Sequence, residues 1–316
     1  MTMTTLTGKT ILITGGTRGL GAATALALAR LGPHKTYITG RPSSSAAADT
    51  IISTIRSEAE FNPNMCTNIT FLPTDNASLA SVSATAQKLL ETEDKIDILI
   101  CNAGIAAVPL GKSEDGYEIQ FATNFLGHAL LIRKLLPLLR KSVSGKGRII
   151  SLGSYGYRMA STLALERVSG DGLAKDKDDF LGYQKWRRYT ETKLANTLYS
   201  ALLAKHYGSE IVAVTVTPGF VESDMVKNFG FVEYWMTKLG AKLARGQTVR
   251  GLVTVEQGAE NTVWAATVEE KELVNGALYD PVGKRVTEGE LTVAAKDEVL
   301  AGRLWEWTEG ELGRWL

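Results

Sequence analysis

The chain has 316 residues, 44% of them hydrophobic, enough to bury a large core in one elaborated domain. Its 35 basic and 34 acidic residues are mixed along the sequence and leave a formal charge of +1, which argues against a nucleic-acid partner. Two cysteines, Cys66 and Cys101, are too few and too far apart for a disulfide framework or a zinc site, so a reducing, cytoplasmic compartment is expected. The chain enters an apparent strand without a separate leader, and no run of about 18 apolar residues suggests an integral membrane segment.

From the N-terminus, an apolar run at 10–14 predicts a first strand, and helical period follows over 20–31. Strands are then expected at 35–39, 68–72, 96–101, 148–152 and 211–217, with helices at 79–91, 116–140 and 188–207. A helix at 257–266 and a last strand at 276–281 close the series. Several strands are apolar at nearly every position, as expected when both faces are covered. The alternation predicts an α/β fold, a Rossmann-type doubly wound parallel sheet in a single domain. The small, polar patch 43–48 reads as a flexible turn. Two stretches depart from the alternation. Residues 155–187, polar and charged, are expected as a rim insertion. Residues 222–251, with Met225, Phe229, Phe231, Tyr234, Trp235 and Met236, are expected as a C-terminal substrate cap, though these side chains could instead seal an extra helix against the sheet.

The most informative segment is Thr14-Gly15-Gly16-Thr17-Arg18-Gly19-Leu20-Gly21, which follows the first strand and opens a helix. Glycines there permit a tight turn and let backbone N–H groups approach a pyrophosphate, while the helix N-terminus adds partial positive charge. Downstream come Asn102-Ala103-Gly104 after the fourth strand, Asn124 in the next helix, and Ser154 after the fifth strand. Tyr189 with Lys193, then Pro218-Gly219 after the sixth strand, complete the order. This series resembles the short-chain dehydrogenase/reductase family over roughly residues 5–220, with Cys101 standing where many members have another asparagine. The resemblance implies a catalytic set of Asn124, Ser154, Tyr189 and Lys193. It also implies cofactor contacts from Gly15, Thr17, Arg18, Gly19, Leu20, Gly21, Arg41, Asp75, Asn102, Ala103, Gly104, Tyr189, Lys193, Pro218, Gly219, Val221 and Ser223. Within that set Asp75 would contact adenine, Ser223 the nicotinamide amide and Lys193 the nicotinamide ribose, and Asn124 would hold a water linking Lys193 to solvent.

Tyr189 and Lys193 lie one helical turn apart on one face, so the ammonium can sit close to the phenol. A free phenol near pKa 10 exchanges its proton poorly at neutral pH, and a neighbouring cation would favour its anion. Tyr189 would then protonate a carbonyl oxygen as hydride reaches the carbon, with Ser154 hydrogen-bonding the same oxygen. Ser151, nearer the strand body, competes with Ser154, and Tyr234 with Lys238 repeats the spacing in the aromatic segment, where a structural role is expected. The second strand ends Thr39-Gly40-Arg41 with no carboxylate, and Arg18 adds a second guanidinium, a pattern that selects NADP(H) over NAD(H). His34, His128 and His206 have no metal-ligand spacing and are expected as surface or helix histidines. Cys101 is expected as a small buried hydrophobe.

The expectation is an NADPH-dependent carbonyl reductase or alcohol dehydrogenase acting on a small apolar ketone, aldehyde or secondary alcohol. The alternatives are an NADP(H)-binding sensor, or redox-neutral isomerisation or cyclisation in the same site. The resemblance suggests association through the long helices as a homodimer or homotetramer, which the large additions could block.

Overall fold

A computed structural model of the chain describes residues 5–142, 145–178, 182–221 and 253–316. Its strands are β1 (Thr10–Ile13), β2 (Lys35–Gly40), β3 (Ile69–Pro73), β4 (Ile98–Cys101), β5 (Gly147–Leu152), β6 (Ile211–Val216) and β7 (Leu278–Tyr279). They form one seven-stranded sheet in the order β3-β2-β1-β4-β5-β6-β7, and every pairing is parallel. Chain order reverses between β1 and β4. In such a sheet the crevice at the carboxyl ends of these two strands is where ligands bind, because the loops leaving them diverge to opposite faces.

The helices are α1 (Gly19–Ala29), α2 (Ser45–Ala59), α3 (Leu79–Thr92), α4 (Ile119–Phe121), α5 (Gly127–Leu139), α6 (Gly170–Lys175), α7 (Tyr183–Tyr207), α8 (Val255–Thr267) and α9 (Glu298–Leu312). Four departures from the sequence reading have physical causes. The patch 43–48, expected as a flexible turn, opens α2 instead: alanines favour helix, and Ala48, Ile51, Ile52 and Ile55 fall on one face. The single helix expected over 116–140 is broken. A turn at Gly116 precedes α4, and Ala122–Leu126 forms a π-helical turn between α4 and α5. The helix expected to start at 188 begins at Tyr183, so Tyr189 lies in its second turn. Finally α9, absent from the sequence reading, is capped by Asp297, whose carboxylate accepts from Val299 and Leu300 N–H.

Alternate side chains of each strand feed two cores. Leu12, Leu99 and Ile149 pack under α3, α5 and α7, and Ile11, Ile13, Ile98 and Ile100 pack under α1, α2 and α8. Helix α8 approaches α1 closely because Gly258 lacks a side chain: a Cβ there would sit 2.7 Å from Leu20 and against Val221. Helix α9 lies outside α7, where the Trp305 ring stacks on His206 at 4.0 Å and 5° and Trp307 meets Tyr117 and Phe121 edge-on. Among the described residues no helix is long and apolar enough to cross a membrane, and no group of His, Cys, Asp or Glu side chains could hold a metal ion. Ser223, the Tyr234 and Lys238 pair, and the expected cap 222–251 lie outside the described residues.

Candidate active site

The glycine-rich turn leaves β1 at the switch point. Gly15 and Gly19 have φ of +63° and +51°, which only glycine adopts without strain. A Cβ on Gly15 would fall 2.9 Å from the Ala103 Cα, so the turn and the β4 loop pack backbone to backbone. Thr14 and Asn102 lock this contact. The Thr14 hydroxyl accepts from the N–H groups of Asn102 and Ala103, both at 2.9 Å, and the Asn102 amide donates to the carbonyls of Thr14 and Gly15 at 2.8 and 3.2 Å. At the far side of the turn, Gly19 opens on free space, and the N-terminus of α1 has no side-chain cap. Its first N–H groups and the positive end of its dipole are therefore available to an anion, and the turn fits a dinucleotide pyrophosphate.

The turn also meets the end of β2. Gly16 N–H donates to the Thr39 carbonyl at 2.9 Å, and a Cβ on Gly40 would lie 3.0 Å from the Thr17 methyl. Arg18 and Arg41 are the next residues after this contact, both are exposed, and neither is in an ion pair with a described residue. Asp75, half-buried after β3, accepts from Ala77 N–H at 2.9 Å.

Across the crevice stands α7. Ser154 follows β5 in extended backbone, its Oγ accepting from Gly156 N–H at 3.1 Å, and its hydroxyl lies near enough to the Tyr189 phenol to favour the phenol's anion. Ser151 lies inside the β5 ladder opposite Cys101 and Thr215, so it is Ser154 that reaches the phenol. Lys193 Nζ lies 5.7 Å from the centroid of the Tyr189 ring and donates to the Leu152 carbonyl at 2.9 Å, an oxygen shared with the Asn196 amide at 3.3 Å. Burial pushes both groups toward their neutral forms. The Tyr189 phenol is raised by desolvation, with the Ser154 bond pulling it down, and the Lys193 ammonium is lowered to about 8. The Lys193 ammonium thus points its hydrogen bond at a backbone carbonyl while lying beside the phenol ring.

Asn124 sits in the π-helical turn, completely buried. Its amide clamps Ile105, accepting from the N–H at 2.8 Å and donating to the carbonyl at 2.9 Å, and also donates to Thr192 Oγ at 3.1 Å. Both amide hydrogens are thus engaged by the loop after Gly104 and by α7, while the amide oxygen keeps a second lone pair. A widened turn leaves carbonyls short of partners, and side chains supply them: Asn76 donates to Thr123 at 2.7 Å and His128 to Asn124 at 3.0 Å. His128, expected as a surface or helix histidine, is a buried helix residue joined to Thr14 at 2.8 Å.

The rim is held by charge. Arg187 pairs with Asp176 and Glu191, both at 2.9 Å, and buried Arg188 faces Glu118 at 3.6 Å, Asp176 at 3.5 Å and Asp178. These two residues precede Tyr189, so they fix the start of α7 against the loop after α6. Sequence reasoning missed them because an arginine pair beside a scattered acidic loop looks like a solvated face. Aromatic pairs stand beside the site residues: Trp186 meets Tyr189 edge-on at 5.8 Å, and Tyr155 meets Phe220 at 5.9 Å. Below them, Gly219 turns at φ +78°, and Val221 bridges to Val253. The Asn261 amide, unsignalled in the sequence, donates at 3.0 Å to the carbonyls of Thr217 and Tyr279 and holds the Pro218-Gly219 loop to β7. Cys101 is buried at the end of β4, with its thiol pushed up by desolvation.

Comparison with known proteins agrees with this architecture. The family model described as short chain dehydrogenase matches residues 9–164. Human retinol dehydrogenase 14 is 33% identical over 97% of this chain and 87% of its own length. Human polyprenol dehydrogenase is 32% identical over 85% of this chain and 75% of its own length. The structure of NADPH-bound carbonyl reductase from chicken fatty liver shares the fold, with a TM-score of 0.60 and 20% identity over 89% of this chain and all of that one. The chain belongs to the short-chain dehydrogenase/reductase family and is an oxidoreductase acting on CH–OH and C=O groups.

Proposed function

We propose that the protein is an NADP(H)-dependent carbonyl reductase that interconverts an apolar ketone or aldehyde with its alcohol in the cytoplasm. The observation that carries this reading is the Tyr189 ring with the Lys193 ammonium 5.7 Å from its centroid and the Ser154 hydroxyl near its phenol, together with an uncapped glycine-rich turn at the switch point. Gly15, Thr17, Gly19, Leu20 and Gly21 would hold the pyrophosphate, Arg18 and Arg41 the 2′-phosphate, and Asp75 the adenine. Asn102, Ala103, Gly104, Lys193, Pro218, Gly219, Val221 and Ser223 would hold the nicotinamide half. Bound NADPH supplies the hydride that reduces the carbonyl carbon.

The residues supply the rest. Tyr189, a neutral phenol by burial, donates its proton to the carbonyl oxygen, so hydride and proton together give the alcohol. Ser154 would donate its one hydroxyl hydrogen to the same oxygen, holding it in place for the proton from Tyr189. Lys193, cationic below about pH 8 and with its Nζ 5.7 Å from the centroid of the Tyr189 ring, would lower the cost of the negative charge left on the phenol. Tyr155, Trp186 and Phe220 keep water from the mouth and favour an apolar substrate, a class to which the retinol and polyprenol of the relatives' names also belong. Two free, buried cysteines support a reducing compartment.

The test is a panel of apolar ketones, aldehydes and secondary alcohols, followed by absorbance of the reduced nicotinamide with NADPH and NADH in parallel. Stoichiometric NADPH consumption with at least one carbonyl is expected. Tight NADPH binding without consumption would contradict the proposal in favour of a sensor, and substrate turnover without net consumption would contradict it in favour of isomerisation.

A further inference from the structure

His128 ties the two halves of the crevice together. It is buried in the first turn of α5, and the partners of its ring nitrogens lie on separate elements. Nδ1 faces the Asn124 backbone carbonyl at 3.0 Å, and Nε2 faces the Thr14 hydroxyl at 2.8 Å. A carbonyl oxygen can only accept, so Nδ1 carries hydrogen. The Thr14 oxygen already accepts from the N–H groups of Asn102 and Ala103, which fills its two lone pairs. Its one proton must then go outward. It lies 2.8 Å from Nε2 and 3.3 Å from the Ile100 carbonyl, and the shorter path ends on the ring. The neutral Nδ1–H imidazole satisfies every donor and acceptor in this chain. The chain continues from Asn124 through its amide to Thr192 Oγ, which donates to the Tyr189 carbonyl at 2.7 Å.

We propose that His128 is a positioning residue: its neutral, Nδ1-protonated ring holds the glycine-rich turn, through Thr14, in fixed register with the turn of Asn124 and, through Thr192, with the helix of Tyr189 and Lys193. The inference deepens the carbonyl-reduction reading and rests on it for its effect on turnover. Its consequences for cofactor binding and for the ring itself do not depend on any substrate.

Two variants separate the arms of the strut. The Asn amide of His128→Asn can occupy the Nδ1 position and donate to Asn124, while the longer His128→Gln places its carbonyl oxygen at the Nε2 position to accept from Thr14. Losing one buried hydrogen bond corresponds to about a tenfold change in the affected constant. His128→Asn is expected to weaken NADPH binding, read by quenching of protein fluorescence, about tenfold with kcat within about threefold. His128→Gln should do the reverse, lowering kcat about tenfold with NADPH affinity within about threefold. Both constants unchanged, or both falling together in each variant, would overturn the proposal. Should either variant fail to fold, nitrogen-15 NMR of the histidines in the native protein decides the matter alone. A protonated Nδ1 and a bare Nε2 at pH 7 are expected, and the opposite tautomer or a protonated ring would overturn the proposal. Turnover absent from the native protein, with the NMR result and the His128→Asn affinity loss present, would refute the reductase reading and leave the strut standing.

Discussion

The Nζ of Lys193 lies over the ring of Tyr189, 5.7 Å from its centroid, yet its hydrogen bond goes to the Leu152 carbonyl. The lysine is thereby held beneath the phenol in a desolvated position that lowers its ammonium to about 8. Its charge, the part that supports a developing phenolate, is present below that pH and is lost above it. The rate of carbonyl reduction is therefore expected to fall about tenfold per pH unit above about pH 8, with one ionisation, in a stopped-flow pH profile at saturating NADPH. Lys193→Arg, which stays charged, should keep a residual rate that no longer declines there. A profile flat to pH 10 in the native protein would contradict the role given to the ammonium.

Arg18 and Arg41 each follow directly on the contact in which Gly16 bonds Thr39 and Thr17 packs on Gly40. Arg41→Ala is expected to weaken NADPH about tenfold to a hundredfold and NADH less than threefold, since a charge-assisted phosphate contact contributes about 1.5–3 kcal/mol. Arg18→Ala should act in the same direction. Titration of both nucleotides by fluorescence checks this, and equal weakening of the two would place the 2′-phosphate elsewhere.

The buried ring of His128 is held down to about 4 by desolvation and by the charge of Lys193, against the opposing bond from Asn124. An unfolded histidine titrates near 6.5, so between pH 6.5 and 4 the unfolded chain binds a proton that the folded chain does not. Stability is therefore lost as pH falls through that window, by about 3 kcal/mol from this residue. In urea denaturation, the drop between pH 7 and pH 4 should be smaller in His128→Gln by that amount.

Much of this site was legible in the sequence, for an identifiable reason. The glycine-rich turn, Asn102-Ala103-Gly104, Ser154, Tyr189 and Lys193 are set by local geometry: a positive φ, a backbone contact or a one-turn spacing demands particular residue types. The strands were legible because they are buried on both faces. Hidden features depend on contacts distant in sequence. His128 pairs with Thr14 across 114 positions, and Asn261 with Thr217 across 44, and neither spacing has a local signature. Helix α2 was masked by its small polar opening, and the break at Asn124 by the apolar continuity of 116–140.

Helix α9 is packed on α7 partly through one aromatic stack. Trp305 lies 4.0 Å from the His206 ring and 5.8 Å from that of Tyr199, with the Arg133 guanidinium 5.9 Å from its centroid. Trp305→Ala is expected to cost about 2–4 kcal/mol in urea denaturation, with NADPH affinity unchanged because the stack lies on the outer side of α7. A loss below about 0.5 kcal/mol would mean that α9 is held by its other contacts.

The central claim is that the Tyr189 phenol delivers the proton. It is tested most directly by Tyr189→Phe, which removes one oxygen and leaves the ring against Trp186. With a carbonyl that the native protein reduces, kcat should fall by about a thousandfold or more while the Kd for NADPH changes less than about threefold. A variant that binds NADPH normally and keeps kcat within about tenfold of the native value would contradict the account.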